Sequence, residues 1–182
     1  MIIRQETPQD YDAVMQVVEA NRQIEFIVEE IFMITLRKMT QSDVPMLYEM
    51  ALHSFQPDYH KYGFYPPLIK EKTKSFLPPL MLGKVIISDD TIIGGAFVVG
   101  IWKKGEIGSI FIDPIHQKKG YGKQAMLEIE KLYPRIKKWK LDVLAENYHL
   151  HGFYEALGYK RIGQITDKTS GLNGFVYEKS LL

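Results

Sequence analysis

The sequence predicts an α/β (α+β) domain, a mixed sheet with helices packed on it, and three observations lead to that class. Short apolar runs of strand character alternate with amphipathic runs of helical period. Three strand runs follow one another directly, joined by tight turns, which makes an antiparallel meander in place of successive strand–helix–strand crossovers. The 182 residues, 46% of them hydrophobic, suffice for one globular domain with a sizeable core and an appendage.

The chain begins twice. Ile3-Arg4, Thr7, Asp10 and Val14 each lie 33 residues before Leu36-Arg37, Thr40, Asp43 and Leu47. The expected division is therefore 1–32, an extra strand–helix segment that partly repeats the domain start, and 33–182, the domain proper. The Tyr11, Val14, Met15 and Val18 stripe of the first copy needs a cover. After Asn21 the apolar phase shifts to Ile24, Ile27, Val28 and Ile31, which leaves a broken helix and an extended segment both open. The extra copy reads as an interaction element that completes a neighbouring subunit in a homodimer, as a remnant of duplication, or as a foreign start.

In the second copy a short strand over 34–37 precedes Thr40-Gln41-Ser42-Asp43, a cap of capping-box type, and a helix with Val44, Leu47, Tyr48 and Ala51 on its apolar face. Phe55, Tyr59, Tyr62, Phe64 and Tyr65 follow, with Pro57, Pro66 and Pro67 expected to break any long helix and a short helix expected over 67–76. Strands are expected over 84–88, 92–102 and 106–112, separated by Asp89-Asp90 and Lys103-Lys104-Gly105 turns. A helix over 123–133 stops at Pro134, a strand covers 139–144, and a helix over 148–157 ends at Gly158. Strands over 159–165 and 174–181 close the chain around a polar turn. The predicted order is β-α-α-β-β-β-α-β-α-β-β.

Composition excludes several function classes. Cysteine is absent, which removes disulfides, thiolate metal sites and a cysteine nucleophile, and fits a reducing compartment. The one close histidine pair, His149 and His151, points to nearly opposite faces of a helix and cannot chelate one ion, so no metal is expected. A net charge of +1, from 23 basic and 22 acidic residues, argues against a general nucleic-acid surface. The longest apolar stretch, 92–102, is interrupted by glycines and falls short of the roughly 20 residues that span a bilayer. With no secretory signal visible, a soluble cytoplasmic protein with no membrane partner is the expectation.

The stretch Gln117-Lys118-Lys119-Gly120-Tyr121-Gly122 lies between a strand and a helix start. Two glycines let the main chain approach a ligand, and the first-turn N–H groups favour phosphate. No G-x-x-x-x-G-K-[ST] run exists, which excludes a Walker A loop. Gly120, Gly122 and Ala125 match the dinucleotide fingerprint, with Asp142 20 residues past Gly122. Its context fails, because residues 113–119 separate the glycines from the strand and the preceding strands form a meander. The turn also reads as a plain basic loop.

Downstream lie Asn147 and Phe153-Tyr154-Glu155-Ala156-Leu157-Gly158-Tyr159. With the glycine turn and Pro114 before it, this pattern resembles the GNAT superfamily of N-acetyltransferases over residues 34–182. The resemblance implies a mostly antiparallel central sheet with helices on both faces, acetyl-CoA as cosubstrate, and direct acetyl transfer to a small-molecule amine or a protein amino group. It assigns the main chain of Ile110, Phe111 and Ile112 to the pantetheine arm. It assigns Gln117, Lys118, Lys119, Gly120, Tyr121, Gly122 and Lys123 to the pyrophosphate, and Asn147 to CoA amides. Leu150 departs from the alanine common in the family, and Gly152 lies in the same helix.

A lysine-like amine, with a pKa of about 10.4, needs help to lose its proton. The resemblance makes Glu106, eleven residues before Gln117, the candidate base and Tyr154 the candidate acid for the departing thiolate. Glu106 reads equally as an ordinary charged strand start, and Tyr154 as a helix tyrosine covering the sheet. The resemblance puts the aromatic segment Phe55 to Tyr65 at the acceptor pocket, with Tyr59, Tyr62 and Phe64 the candidate acceptor-binding residues and Asp58 and His60 beside them to hold a cation; the rings read equally as packing between the two helices. A CoA-binding regulatory or assembly module without turnover is the alternative, and a nicotinamide-dinucleotide protein the third reading.

Overall fold

The computed structural model describes residues 34–63, 65–66, 69–70, 75–76, 82–167 and 170–181, together with Gln16 and Glu19. The chain divides into two compact units, residues 1–33 and 34–182. In the first, Gln16 and Glu19 are helical and exposed, and the strand–helix repeat expected over 1–32 otherwise lies outside the described residues.

The second unit opens with β1 (Ile34–Lys38) and a 3-10 turn (Gln41–Asp43) that leads into α1 (Val44–Tyr62). The capping box forms as expected: the Thr40 N–H and hydroxyl donate to Asp43 Oδ2 at 2.8 and 2.6 Å. Arg37 grips the same carboxylate with both terminal guanidinium nitrogens, Nη1 to Oδ2 at 2.7 Å and Nη2 to Oδ1 at 2.6 Å. These bonds, first Arg37 and then Thr40, hold the Asp43 carboxyl well below the usual carboxylate range.

Leu47, Tyr48 and Ala51 bury one face of α1. The helix runs through Pro57 to Tyr62 and does not break there. Proline leaves the His53 carbonyl without its helical donor, but His53 and Pro57 are both exposed, so water can take that carbonyl. The helix closes with the Gly63 N–H on the Tyr59 carbonyl, 2.8 Å.

The short helix expected over 67–76 is absent from its described residues. β2 (Ile69–Lys70) and β3 (Ser75–Phe76) form an antiparallel pair instead, with Ile69 opposite Phe76. Ile69 is buried in one cluster with Leu47, Tyr48, Ala51, Val85, Phe97 and Phe111, and this tertiary burial decides a run whose periodicity is ambiguous.

β4 (Leu82–Ser88), β5 (Thr91–Ile101) and β6 (Lys104–Ile112) make the expected meander. A 3-10 turn (Pro114–His116), α2 (Tyr121–Leu132), β7 (Lys138–Leu144), α3 (Tyr148–Ala156), β8 (Lys160–Thr166) and β9 (Asn173–Ser180) complete the unit. The seven-stranded sheet has the order β1-β4-β5-β6-β7-β9-β8, and every pairing is antiparallel except β6 with β7.

Helices cover both faces. Val85, Phe97 and Phe111 point into the α1 cluster, while Lys84, one residue from Val85 and so on the other face, reaches the ring of Tyr133 just beyond α2. On that second face Lys179 of β9 donates to Glu130 of α2 at 2.6 Å, and the Tyr159 hydroxyl donates to the same carboxylate at 3.1 Å. Burial and the Glu130 charge push the Tyr159 phenol far up, so it stays a donor. Among the described residues no helix is long and apolar enough to cross a membrane.

The depressed Asp43 carboxyl makes a stability prediction with a definite sign. A charge favoured by the fold stabilises above the unfolded pKa, and that contribution is lost as pH falls toward the folded one. Asp43→Asn should lower the urea midpoint at neutral pH, and the gap to wild type should close as pH falls below about 4, the ordinary aspartate range. A gap independent of pH would show that charge plays no part.

Candidate functional site

The parallel pair β6–β7 is zipped at only three positions, Lys104 with Lys138, Gly105 with Trp139 and Glu106 with Lys140. At the zipped end the Trp139 ring lies against Gly105, where a Cβ would sit 2.6 Å from it, so this close approach needs glycine. Beyond Glu106 the register of β5 on β6 shifts between Phe97 and Val98, which pair with Ser109 and Ile107 and leave Gly108 over. Such a bulge bends and twists its strand, and here it coincides with the point where β6 leaves β7.

The parted strands enclose a cleft of about 220 Å³. Its floor is residues 107–110 and 141–144, and its sides are Phe55 and Asp58 from α1 and Asn147, Leu150 and Tyr154 from the start and body of α3. One edge of β6 thus faces the cleft. The Asp113 N–H donates to the Ile93 carbonyl on the β5 side at 2.8 Å, so by alternation the main chain of Phe111 faces β5 and that of Ile110 and Ile112 faces the opening. The Ile112 carbonyl is already engaged: the Ser54 hydroxyl donates to it at 2.5 Å and the Gln117 amide at 2.8 Å. Both its lone pairs are occupied, which leaves the Ile110 groups and the Ile112 N–H facing the gap.

The glycine turn follows directly. Gln117 points its side chain back to β6 and gives its N–H to the Pro114 carbonyl at 3.3 Å, so it pins the loop. Lys118 (φ +61°) and Gly120 (φ +83°) adopt left-handed conformations, and Gly120 is the N-cap of α2 with no capping side chain. Left-handed residues interleaved in a turn gather main-chain N–H groups into an anion-binding concavity. Lys118, Lys119 and Lys123 are exposed around it. At Gly122 a Cβ would make only ordinary contact, 3.6 Å from the Phe153 ring, so the chain itself does not demand glycine there.

Asn147 is buried and caps α3 by position, but its side chain makes no cap bond and donates to Asp58 Oδ2 at 3.2 Å. Burial raises the Asp58 carboxyl above its ordinary range, opposed by His149, Lys61 and the Asn147 bond. Tyr154 is 8% exposed, and its ring packs against Phe153, Tyr159 and Tyr177. Its hydroxyl has no hydrogen bond to a described residue and lies at the cleft, and burial with the nearby Asp142 charge pushes its pKa up to about 12. Asp142 is itself raised, by burial and then by Asp167.

The structure therefore brings Tyr154, Asn147 and Ile110 to one cleft; Phe111, Ile112 and residues 117–123 are not part of its lining and follow Ile110 along the chain. Glu106 sits exposed at the base of the fork and is not part of the lining. Tyr59 stacks on Tyr65 with centroids 4.3 Å apart, and Tyr62 lies under the Lys61 ammonium at 4.9 Å; neither lines the cleft. Phe64 lies outside the described residues. Sequence reasoning missed Ser54, although 54, 55 and 58 share one helical face and that spacing was the available signal; Phe55 and Asp58, from the segment expected at the acceptor pocket, do line the cleft.

The model of the family described as Acetyltransferase (GNAT) family matches residues 44–159. Among solved structures, an acetyltransferase from Thermus thermophilus superposes with a TM-score of 0.66 at 17% identity, over 83% of this chain and 99% of that one. The PaiA N-acetyltransferase from Thermoplasma acidophilum, solved with coenzyme A, gives 0.61 at 23% identity over 82% and 99%. The ribosomal-protein-S18-alanine N-acetyltransferase from Escherichia coli gives 0.59 at 14% identity over 81% and 94%. These are likenesses of fold. No curated protein sequence matches the chain.

The Asn147–Asp58 bond is testable by itself. Asn147→Ala removes a donor that favours the ionised carboxyl, so the Asp58 titration followed by carboxyl carbon NMR should move to higher pH. An unmoved midpoint would mean that the bond does not act on Asp58.

Proposed function

The chain belongs to the acetyltransferase (GNAT) family, and from that premise we propose that residues 33–182 transfer the acetyl group of acetyl-CoA directly to a primary amine. The observation that carries this reading is the forked cleft lined by Tyr154, whose hydroxyl has no hydrogen bond to a described residue, with an uncapped, glycine-started helix following the β6 strand of the fork. Bound acetyl-CoA supplies the activated thioester. Ile110 and the Ile112 N–H offer an open strand edge to its amide arm, in the manner of an added strand. The turn from Lys118 to Gly122 offers main-chain N–H groups to its pyrophosphate, Gln117 pins that turn, and Lys118, Lys119 and Lys123 add positive charge. The room left at Gly122 suits such an approach. Asn147 can exchange its bond to Asp58 for an amide of the arm.

Tyr154 acts as a hydrogen-bond donor to the departing sulfur. At about 12 its phenol is a weaker acid than a thiol of pKa about 8.5, so stabilising the thiolate by hydrogen bond is favoured over surrendering the proton. Glu106, exposed at the base of the fork, takes the amine proton through water. Tyr59 and Tyr62, beside the cleft on α1, guide the acceptor toward it. Absence of cysteine fits action in the cytoplasm.

Acetyl-CoA should raise the melting temperature, and an amine panel should release CoA; no binding at millimolar acetyl-CoA would sink the proposal, and binding without release would leave a CoA-binding module. Tyr154→Phe removes a hydroxyl that no described residue needs, so the fold should be untouched while kcat falls by about a hundredfold or more. Gly120→Ala forces a side chain into the left-handed region, and weaker acetyl-CoA binding by calorimetry is the expected result.

A further inference from the structure

The described residues lining the cleft include three carboxylates, Asp58, Asp142 and Asp167, and no lysine, arginine or histidine. Their placement is two-sided. Asp58 hangs from α1. Along β7, Trp139, Leu141 and Val143 are buried and Trp139 packs on Tyr133 beyond α2, so the alternate residue Asp142 lies on the α1 face of the sheet. Asp142 and Asp58 thus lie on the same face, one on strand β7 and the other on helix α1. Asp167, at the turn between β8 and β9, accepts the Ser170 N–H and hydroxyl at 2.7 and 2.8 Å, and its charge falls on Asp142.

Carboxylates gathered in this way repel one another, and both Asp58 and Asp142 are held above the ordinary range. Lys61 and His149 act on Asp58, and neither lines the cleft. An independent observation marks the same space as a place for a ligand: Tyr154, more than nine-tenths buried, lines it with a hydroxyl that feels the Asp142 charge and has no hydrogen bond to a described residue.

Resting on the acetyltransferase reading, we propose that the acceptor is a small aliphatic di- or polyamine, held by carboxylates on two sides of the cleft, Asp58 from α1 on one and Asp142 with Asp167 from the sheet on the other. A monoamine meets one wall. A diamine meets both, and an acceptor with its own carboxylate is repelled. In the transfer the amine nitrogen bonds to the acetyl carbon as the carbon–sulfur bond breaks. Of the two protons the reacting ammonium loses, one ends on sulfur and one reaches solvent through the base. The second ammonium keeps its protons throughout and stays paired.

Putrescine, n-butylamine and γ-aminobutyrate present the same four-carbon amine with a cationic, neutral or anionic far end. CoA release should show kcat/KM falling in that order, with the diamine ahead of the monoamine by about tenfold. Asp142→Asn and Asp58→Asn should each compress the putrescine-to-butylamine ratio toward one, and added salt should do the same. Equal or better use of butylamine or γ-aminobutyrate, or transfer confined to peptide amino groups, overturns the inference and leaves the acetyltransferase reading standing. Calorimetry of the three compounds with the unliganded protein decides the matter where no transfer is detected: putrescine binding at least several-fold tighter than butylamine, and weakened by Asp142→Asn, supports it. Putrescine binding no tighter than butylamine overturns it. Failure to bind acetyl-CoA is scored separately, against the transferase reading.

Discussion

Everything at the site depends on two parallel strands that pair for three residues and then part. A sheet interior normally satisfies each main-chain group with a neighbour, and an unpaired edge inside a domain is costly unless something fills it. The bulge at Gly108 and the tight seat of Trp139 on Gly105 hold the fork open at one end and shut at the other. The cleft, the available edge at Ile110 and the position of the glycine turn all follow from that one departure from regular pairing.

The second helix face is held by polar groups that are buried together. Glu130, Lys179 and Tyr159 satisfy one another between α2 and β9, on the far side of the sheet from α1. An uncompensated Glu130 carboxylate there would cost several kcal/mol by the usual penalty for a buried charge, so the three residues act as one unit. Their geometry holds α2 on the sheet, and with it the helix start at Gly120.

Much of the fold is legible in the sequence. Alternation in residues 84–112, the Thr40–Asp43 box and the stops at Pro134 and Gly158 are local signals, and the elements they mark formed with ends shifted by a few residues. Two readings failed for reasons local sequence does not contain. Pro57 was compatible with helix because the His53 carbonyl it leaves without a donor lies on an exposed stretch of α1, and Ile69 sits in a strand because it is buried in the core cluster under α1. At the site, the glycine turn, Asn147 and Tyr154 were visible as motifs. Ser54, Asp142 and the Asn147–Asp58 bond were not, since their roles arise from contacts between residues as much as 89 positions apart.

The doubly engaged carbonyl of Ile112 has a mechanical meaning. One oxygen atom accepts from Ser54 on α1 and from Gln117 at the head of the glycine turn. The wall that faces the cleft from α1 and the loop at its far end are therefore tethered to a single point on β6. A shift of either strains the bond of the other, so the two ends of the site form one rigid frame whose spacing is set by a strand terminus.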